Sequence, residues 1–406
     1  MGRAKDAWLA DQERGWSAPE TFVCADCVED LFLKDLIADN LASSQCNYCD
    51  RCDTTNIAAP AEVVIEAIAG AVHHLYADPT AAGVPYEDGG FVVEPTYTTD
   101  VLLSLPLDCH EDFFDEVVTA FGSSAWVRAA HGHWVTSHDH EQLADSWHSF
   151  VQAVKHETRF HFKTAPASPL AGAQELAPGQ MLSAIGRVVK AMGLVQSIAA
   201  KSDLYRSRVR ESSGAWEPDA QTMGAPPSEL ARAGRMNPAG ISYFYCALQS
   251  GTAIAETVPS PPVTAAVATF ETTREISVLN LCELPPLPSL FDAAKRTEYE
   301  WLMFLHGFVA EISEPVRKDG REHIDYVPSQ VVSEWFAQVF RPKGRKSRLD
   351  GLLYPSAVAR GGKNLVLFPT SRSYERTFES VSYVCATVLD LPDWKSMTDA
   401  FSGAAQ

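Results

Sequence analysis

Apolar residues in this chain recur every three or four positions in some stretches and every second position in others. Val64, Ile68, Val72 and Leu75 share one helical face, as do Phe114, Val117, Val118 and Phe121. Leu143, Trp147, Phe150, Val151 and Val154 make a third stripe of the same period. Three or more amphipathic helices are therefore expected between about Ala58 and Thr164, and helices that bury such stripes against one another form a small bundle. Ala165 to Gly179 is rich in Pro, Ala and Gly and reads as a linker. A helix is expected after Pro178, from Gln180 to about Ala200, and others over Glu298 to Ile312 and Ser329 to Phe340. Alternation in Ala266–Phe270 and Ile276–Leu279 predicts strands, as do the apolar runs Gly351–Tyr354, Leu365–Phe368 and Tyr383–Thr387. The expected fold class is α+β in three consecutive parts: a Cys-rich module over 1–55, a helical domain over 56–168, and a mixed α/β domain over 169–406.

Composition narrows the function classes. The 406 residues leave room for two or three domains, and 46% hydrophobic with 21% charged residues is ordinary globular usage. No apolar run approaches the roughly eighteen residues of a membrane span. The first twenty residues mix Arg3, Lys5, Asp6, Asp11, Glu13 and Arg14 around Trp8, unlike a signal peptide. A cytoplasmic protein with no membrane partner is expected. The net charge of −19 argues against nucleic acid as the main partner, because that affinity comes from Lys and Arg. The basic stretch Arg341 to Arg348 reads as a solvated loop.

Cys24-Ala-Asp-Cys27 and Cys46-Asn-Tyr-Cys49 form two knuckles in a C-x2-C pattern. Four thiolates so spaced can surround one tetrahedral ion, and zinc in a structural role is the cofactor they suggest. Cys52 extends the second knuckle to C-x2-C-x2-C and could replace Cys49 as ligand. Cys109, Cys246, Cys282 and Cys385 are scattered and read as core residues.

A run of histidines, His131, His133, His138 and His140 with Asp139, has ligand types suited to a transition metal, but such a cluster is more often a polar loop between helices and reads as one here. Arg128 and His133 also resemble the R-x4-H signature of HEPN-superfamily ribonucleases. That signature is short and degenerate.

A second constellation is more specific. Arg235, Tyr245 and Glu256 follow one another in Gly234–Gly240, Tyr243–Ala247 and Ala253–Val258. They offer one cation, one aromatic face and one carboxylate, which are the groups needed to hold a dinucleotide and break its glycosidic bond. That cleavage passes through an oxocarbenium-like state, which one carboxylate can stabilise. A guanidinium suits a pyrophosphate through its forked donors, and a tyrosine face suits a planar base.

Together with Leu204-Tyr205-Arg206, Asp350–Ser356 and Gly362–Phe368, these blocks resemble the RES domain, in the family's order, from about Gln180 to Leu391. The resemblance implies an ADP-ribosyltransferase-like fold with NAD as substrate. It implies catalytic roles for Arg235, Tyr245, Glu256 and Ser356, and a pocket lined by Tyr205, Arg206, Asn237 and Asn364. The activity so implied is a toxin or defence effector that degrades NAD as a glycohydrolase or phosphorylase. The alternative is an ADP-ribosyltransferase acting on a protein or nucleic acid, and a further alternative is a HEPN-type RNA-binding protein or ribonuclease. An antitoxin or regulatory protein and a homo-oligomer are the partners the likeness suggests. The knuckles and helices ahead of that domain resemble the HEPN-type region of longer RES proteins.

Overall fold

The computed structural model describes residues 11, 14–164, 175–210, 216–258, 260–315, 320–344, 347–369 and 378–402. The chain divides into two compact units, Met1–Gln142 with Pro286–Met303, and Leu143–Pro285 with Phe304–Gln406.

In the first unit, strand β1 (Phe22–Cys24) pairs antiparallel with β2 (Ala58–Pro60), and helix α1 (Leu31–Asp39) lies between them in sequence. Asp30 caps α1 by accepting the Leu33 N–H at 3.0 Å, the usual way to satisfy an orphan donor of the first turn. Helix α2 (Ala61–Leu75) buries Val64, Ile68 and Val72, the stripe its sequence predicts. Three short strands, β3 (Tyr76–Ala77), β4 (Thr96–Tyr97) and β5 (Ala125–Arg128), form a sheet in the order β3-β5-β4. Helix α3 (Glu111–Phe121) buries Phe113, Val117 and Phe121. These strands sit among the expected helices, and at two to four residues they are too short to print a period of two in the sequence. Cys24, Cys27 and Cys46 share one hydrophobic core with the buried faces of α2 and α3. Tyr48, inside the second knuckle, seats its ring edge-on to Phe113 at 5.0 Å and donates its hydroxyl to Glu116 at 2.5 Å.

Helix α4 (Asp139–Gln152) carries the third stripe, burying Trp147, Phe150 and Val151. The expected linker lies largely outside the described residues; Pro178 and Gly179, at its end, already belong to helix α5 (Pro178–Ala191). That helix stops short of the expected Ala200. Gly193, at φ +65°, takes a left-handed backbone that glycine alone adopts cheaply, and strand β6 (Val195–Ile198) begins at once.

The second unit is built on an eight-stranded sheet. Its further strands are β7 (Asp203–Val209), β8 (Phe244–Ala247), β9 (Val263–Thr272), β10 (Ile276–Asn280), β11 (Gly351–Pro355), β12 (Lys363–Leu367) and β13 (Val381–Leu391). The order is β13-β9-β7-β8-β12-β11-β10-β6, with β10 and β11 parallel and the other neighbours antiparallel. Helix α6 (Ser250–Thr257) follows β8 directly. Helices α7 (Arg296–Ser313), α8 (Val327–Gln338) and α9 (Trp394–Ser402) complete the main elements. Leu204, Phe244, Phe270, Val278, Leu353, Leu365 and Leu367 bury one face of the sheet in a common core. No helix among the described residues is long and apolar enough to cross a membrane.

Candidate active site

Sheet register assembles the site. Tyr354 on β11 pairs with Asn364 on β12, Asn364 pairs with Ala247 on β8, and Ala247 pairs with Tyr205 on β7. Directly paired residues share a face, and Tyr245, two residues before Ala247, shares it too. The alternate residues Leu204, Cys246, Leu353 and Leu365 go to the core. One row across four strands thus presents two tyrosines and an amide on the face away from the core, and α6 adds Glu256 beside them.

Glu256 is held through one oxygen. Its Oε1 accepts from the Ser356 hydroxyl at 2.7 Å and from Asn364 Nδ2 at 2.5 Å. The Ser356 Oγ accepts in turn from the backbone N–H of Ala359 at 3.0 Å and of Val358 at 3.3 Å. Its lone pairs so occupied, the hydroxyl turns its proton to the carboxylate. Among the described residues, Glu256 Oε2 has no hydrogen-bond partner.

Tyr245 is fixed from behind. Its hydroxyl donates to Asn237 Oδ1 at 2.7 Å and accepts the Met236 N–H at 3.0 Å. The Asn237 amide donates to the carbonyls of Ile241 at 2.8 Å and of Arg232 and Pro238 at 3.0 Å each. Burial pushes the Tyr245 phenol well up, against the opposing Met236 N–H, so it stays a neutral donor. A Cβ on Gly234 would sit 2.8 Å from Asn237 Oδ1 and 2.9 Å from the Tyr245 hydroxyl, so this turn needs glycine for close approach.

The two arginines differ. Arg235 Nη1 donates to the carbonyls of Glu314 at 2.8 Å and Ile312 at 2.9 Å, and its guanidinium lies 5.7 Å from the Tyr326 ring centre. Among the described residues no carboxylate pairs with it. Arg206 has the parity of Leu204 and extends over Phe244 at 5.2 Å, donating to the Tyr245 carbonyl at 2.7 Å. Its Nε is buried without a partner, and burial, then Arg208, lowers its pKa to about 10, so it remains a cation at neutral pH.

Tyr205, Arg235, Tyr245, Glu256, Tyr354, Asn364 and Tyr326 line one cavity of about 310 Å³, with Arg206 at its wall. Two of the eight residues expected in the pocket act from behind it: Asn237 anchors Tyr245, and Ser356 anchors Glu256. Sequence reasoning missed Tyr354 and Tyr326. The first was legible as the residue two before Ser356 on a predicted strand; the second stands at the head of α8 with no local signal.

In the first unit, the sulfurs of Cys24 and Cys27 lie 3.7 Å apart, those of Cys27 and Cys46 3.7 Å, and those of Cys24 and Cys49 3.6 Å. Sulfurs about 2.3 Å from a tetrahedral zinc would be about 3.8 Å apart, so the four cysteines are compatible with a structural zinc. The Tyr48 N–H also donates to Cys46 Sγ at 3.4 Å. Burial first and neighbouring thiols second push the Cys24 thiol up to about 11, whereas backbone N–H groups draw Cys46 down to about 7 against its burial. Cys52 is exposed and bridges to Gln45, outside the cluster.

Arg128 pairs with Glu141 at 2.8 Å, while the His133 ring accepts the Val135 N–H at 3.3 Å. Among the described residues no interaction joins Arg128 to His133. His131 pairs with Asp139 at 3.2 Å on the surface, and His138 and His140 turn elsewhere.

Residues 203–385 match the RES domain, and residues 39–168 match HEPN/RES N-terminal domain 1. RES domains are NAD-related and toxin-like. No curated protein and no solved structure matches the chain. The blocks of the cavity thus lie within the RES match, and the helical region with Cys46 and Cys49 lies within the other, so the chain carries a RES domain behind an N-terminal HEPN/RES-type region.

Proposed function

We propose that the RES domain cleaves the nicotinamide–ribose bond of NAD by hydrolysis or phosphorolysis, depleting the cellular pool. The observation that carries this reading is the Glu256 carboxylate, bound by Ser356 and Asn364 through Oε1 alone among the described residues, at a cavity walled by tyrosines and the guanidinium groups of Arg235 and Arg206. In this reading Oε2 accepts a ribose hydroxyl and faces the positive charge that grows on the sugar. As the C1–N bond breaks, its electron pair returns to the pyridinium ring, and nicotinamide leaves neutral without a strong general acid. Water or phosphate then bonds to C1, water releasing a proton. Arg235 meets the pyrophosphate, and Tyr245, immobilised by Asn237, offers its face to nicotinamide. The four cysteines hold a structural zinc in the first unit.

The test is nicotinamide release from NAD by the full chain and by Glu256→Gln, with and without phosphate. Release by the wild type alone is expected, and the co-product identifies the acceptor. Equal turnover by Glu256→Gln would remove the carboxylate from the mechanism. Label transferred from NAD to a macromolecule would make the protein an ADP-ribosyltransferase instead.

A further inference from the structure

The first unit buries a second set of ligand-type side chains, distant in sequence from the cysteines. Glu300, only 4% exposed, accepts from His74 Nε2 at 2.9 Å through Oε1. Its Oε2 accepts the His140 backbone N–H at 3.0 Å and contacts His140 Nδ1. His138, also 4% exposed, places Nδ1 3.7 Å from Glu300 Oε1 and lies edge-on to His74, with ring centres 5.1 Å apart. Ligand atoms of His74, His138 and Glu300 all fall within 4.8 Å of one another. His138 Nε2 is buried with no hydrogen-bond partner. That is rare, because buried polar nitrogens are nearly always bonded.

We propose that His74, His138 and Glu300 form a binding site for a divalent transition ion of the zinc type. Two imidazoles and one carboxylate make a nitrogen-rich, borderline set that suits such ions better than magnesium or calcium, which take oxygen ligands. Donor atoms around a tetrahedral ion at about 2.0–2.1 Å stand about 3.3 Å apart; His74 Nε2 and His138 Nδ1 lie 2.9 and 3.7 Å from Glu300 Oε1, either side of that value, and the whole set lies within 4.8 Å, so side-chain rotation can bring it around one ion. Three protein ligands leave a fourth position for water or an anion, unlike the closed cysteine set. His140 acts on the far carboxylate oxygen and orients Glu300, as outer partners of metal ligands do. The run His131–His140 therefore supplies one ligand and one positioning residue, and the other ligands come from α2 and α7.

Cobalt(II) titration of the metal-free full chain tests this. A thiolate site gives intense sulfur-to-cobalt charge-transfer bands, whereas a nitrogen–oxygen site gives weaker visible d–d bands without them. Expected are two ions per chain, one of each type, with the nitrogen–oxygen bands lost in His138→Ala and in the more exposed His74→Ala. His140→Ala should weaken that site alone by about 10- to 100-fold. Circular dichroism and the retained thiolate bands establish that each variant is folded. A wild-type chain lacking nitrogen–oxygen bands, or bands that persist in both folded His74→Ala and His138→Ala, would overturn the proposal.

Discussion

In the four-cysteine cluster the sulfurs all lie within 4.8 Å of one another, three of the pairs at 3.6 to 3.7 Å, and most of the set is buried. In the Glu256 cavity the functional groups are gripped from behind and face open space. Ser356 and Asn364 hold one carboxylate oxygen, Asn237 holds one phenol, and two carbonyls hold one guanidinium. The first arrangement satisfies its members internally, which contributes stability. The second fixes position while leaving binding capacity unspent, which is what a ligand or a transition state can use. The His74–His138–Glu300 cluster has features of both: buried like the first, and incomplete like the second.

The largest effect should come from removing the zinc proposed for the closed cluster. Structural zinc sites carry on the order of 10 kcal/mol of apparent binding energy. Chelation or Cys27→Ala should therefore abolish hydrogen-exchange protection in β1, α1 and β2 while β7, β8 and β12 keep theirs. Unchanged protection in the first group would mean that the cysteines are plain core residues. Glu256→Gln comes next, with kcat reduced about 10²- to 10³-fold and thermal stability unaltered. A loss of stability matching the loss of rate would instead make Glu256 a structural residue.

Smaller effects probe the supports. Tyr245→Phe strands the Met236 N–H and Asn237 Oδ1, for a loss of about 1–3 kcal/mol readable by denaturant melting. Gly234→Ala forces Asn237 or Tyr245 to move and should cost a similar amount, about 1–3 kcal/mol. A neutral outcome for both would show that the turn adapts, and that Tyr245 is not held as rigidly as its bonds imply. Arg235→Ala should raise KM for NAD about tenfold, the equivalent of about 1.4 kcal/mol, with kcat nearly unchanged. An unchanged KM would mean that Arg235 serves only to tie the turn to the carbonyls of Ile312 and Glu314.

Much of this was legible beforehand, unevenly. The stripes on α2, α3 and α4 were plain, because burial imposes a period near 3.6 on any helix lying against a core. Strands β3 and β4 were invisible for want of length, and the end of α5 turned on one glycine's backbone rather than on periodicity. Arg235, Tyr245 and Glu256 stood out by type and order. The distinction between Asn237 as an anchor and Tyr354 as a wall residue did not, since both are ordinary members of their motifs. Reading the histidine run as one site grouped residues by proximity in sequence, whereas the ligands that meet are His74, His138 and Glu300.

By itself the sequence determined what local geometry controls: where most helices and five strands of the large sheet form, that two C-x2-C knuckles present paired thiolates, and which chemical groups are available. Those features depend on residues a few positions apart, whose spacing the backbone converts directly into direction. The tertiary structure alone decided which groups meet. Ser356 and Asn364 reach Glu256 from 100 and 108 residues away, and Glu300 reaches His74 from 226. Contacts at such separations are set by strand register and by the packing of whole elements, and a shift of one residue in β12 would turn Asn364 into the core and leave Glu256 without its anchor.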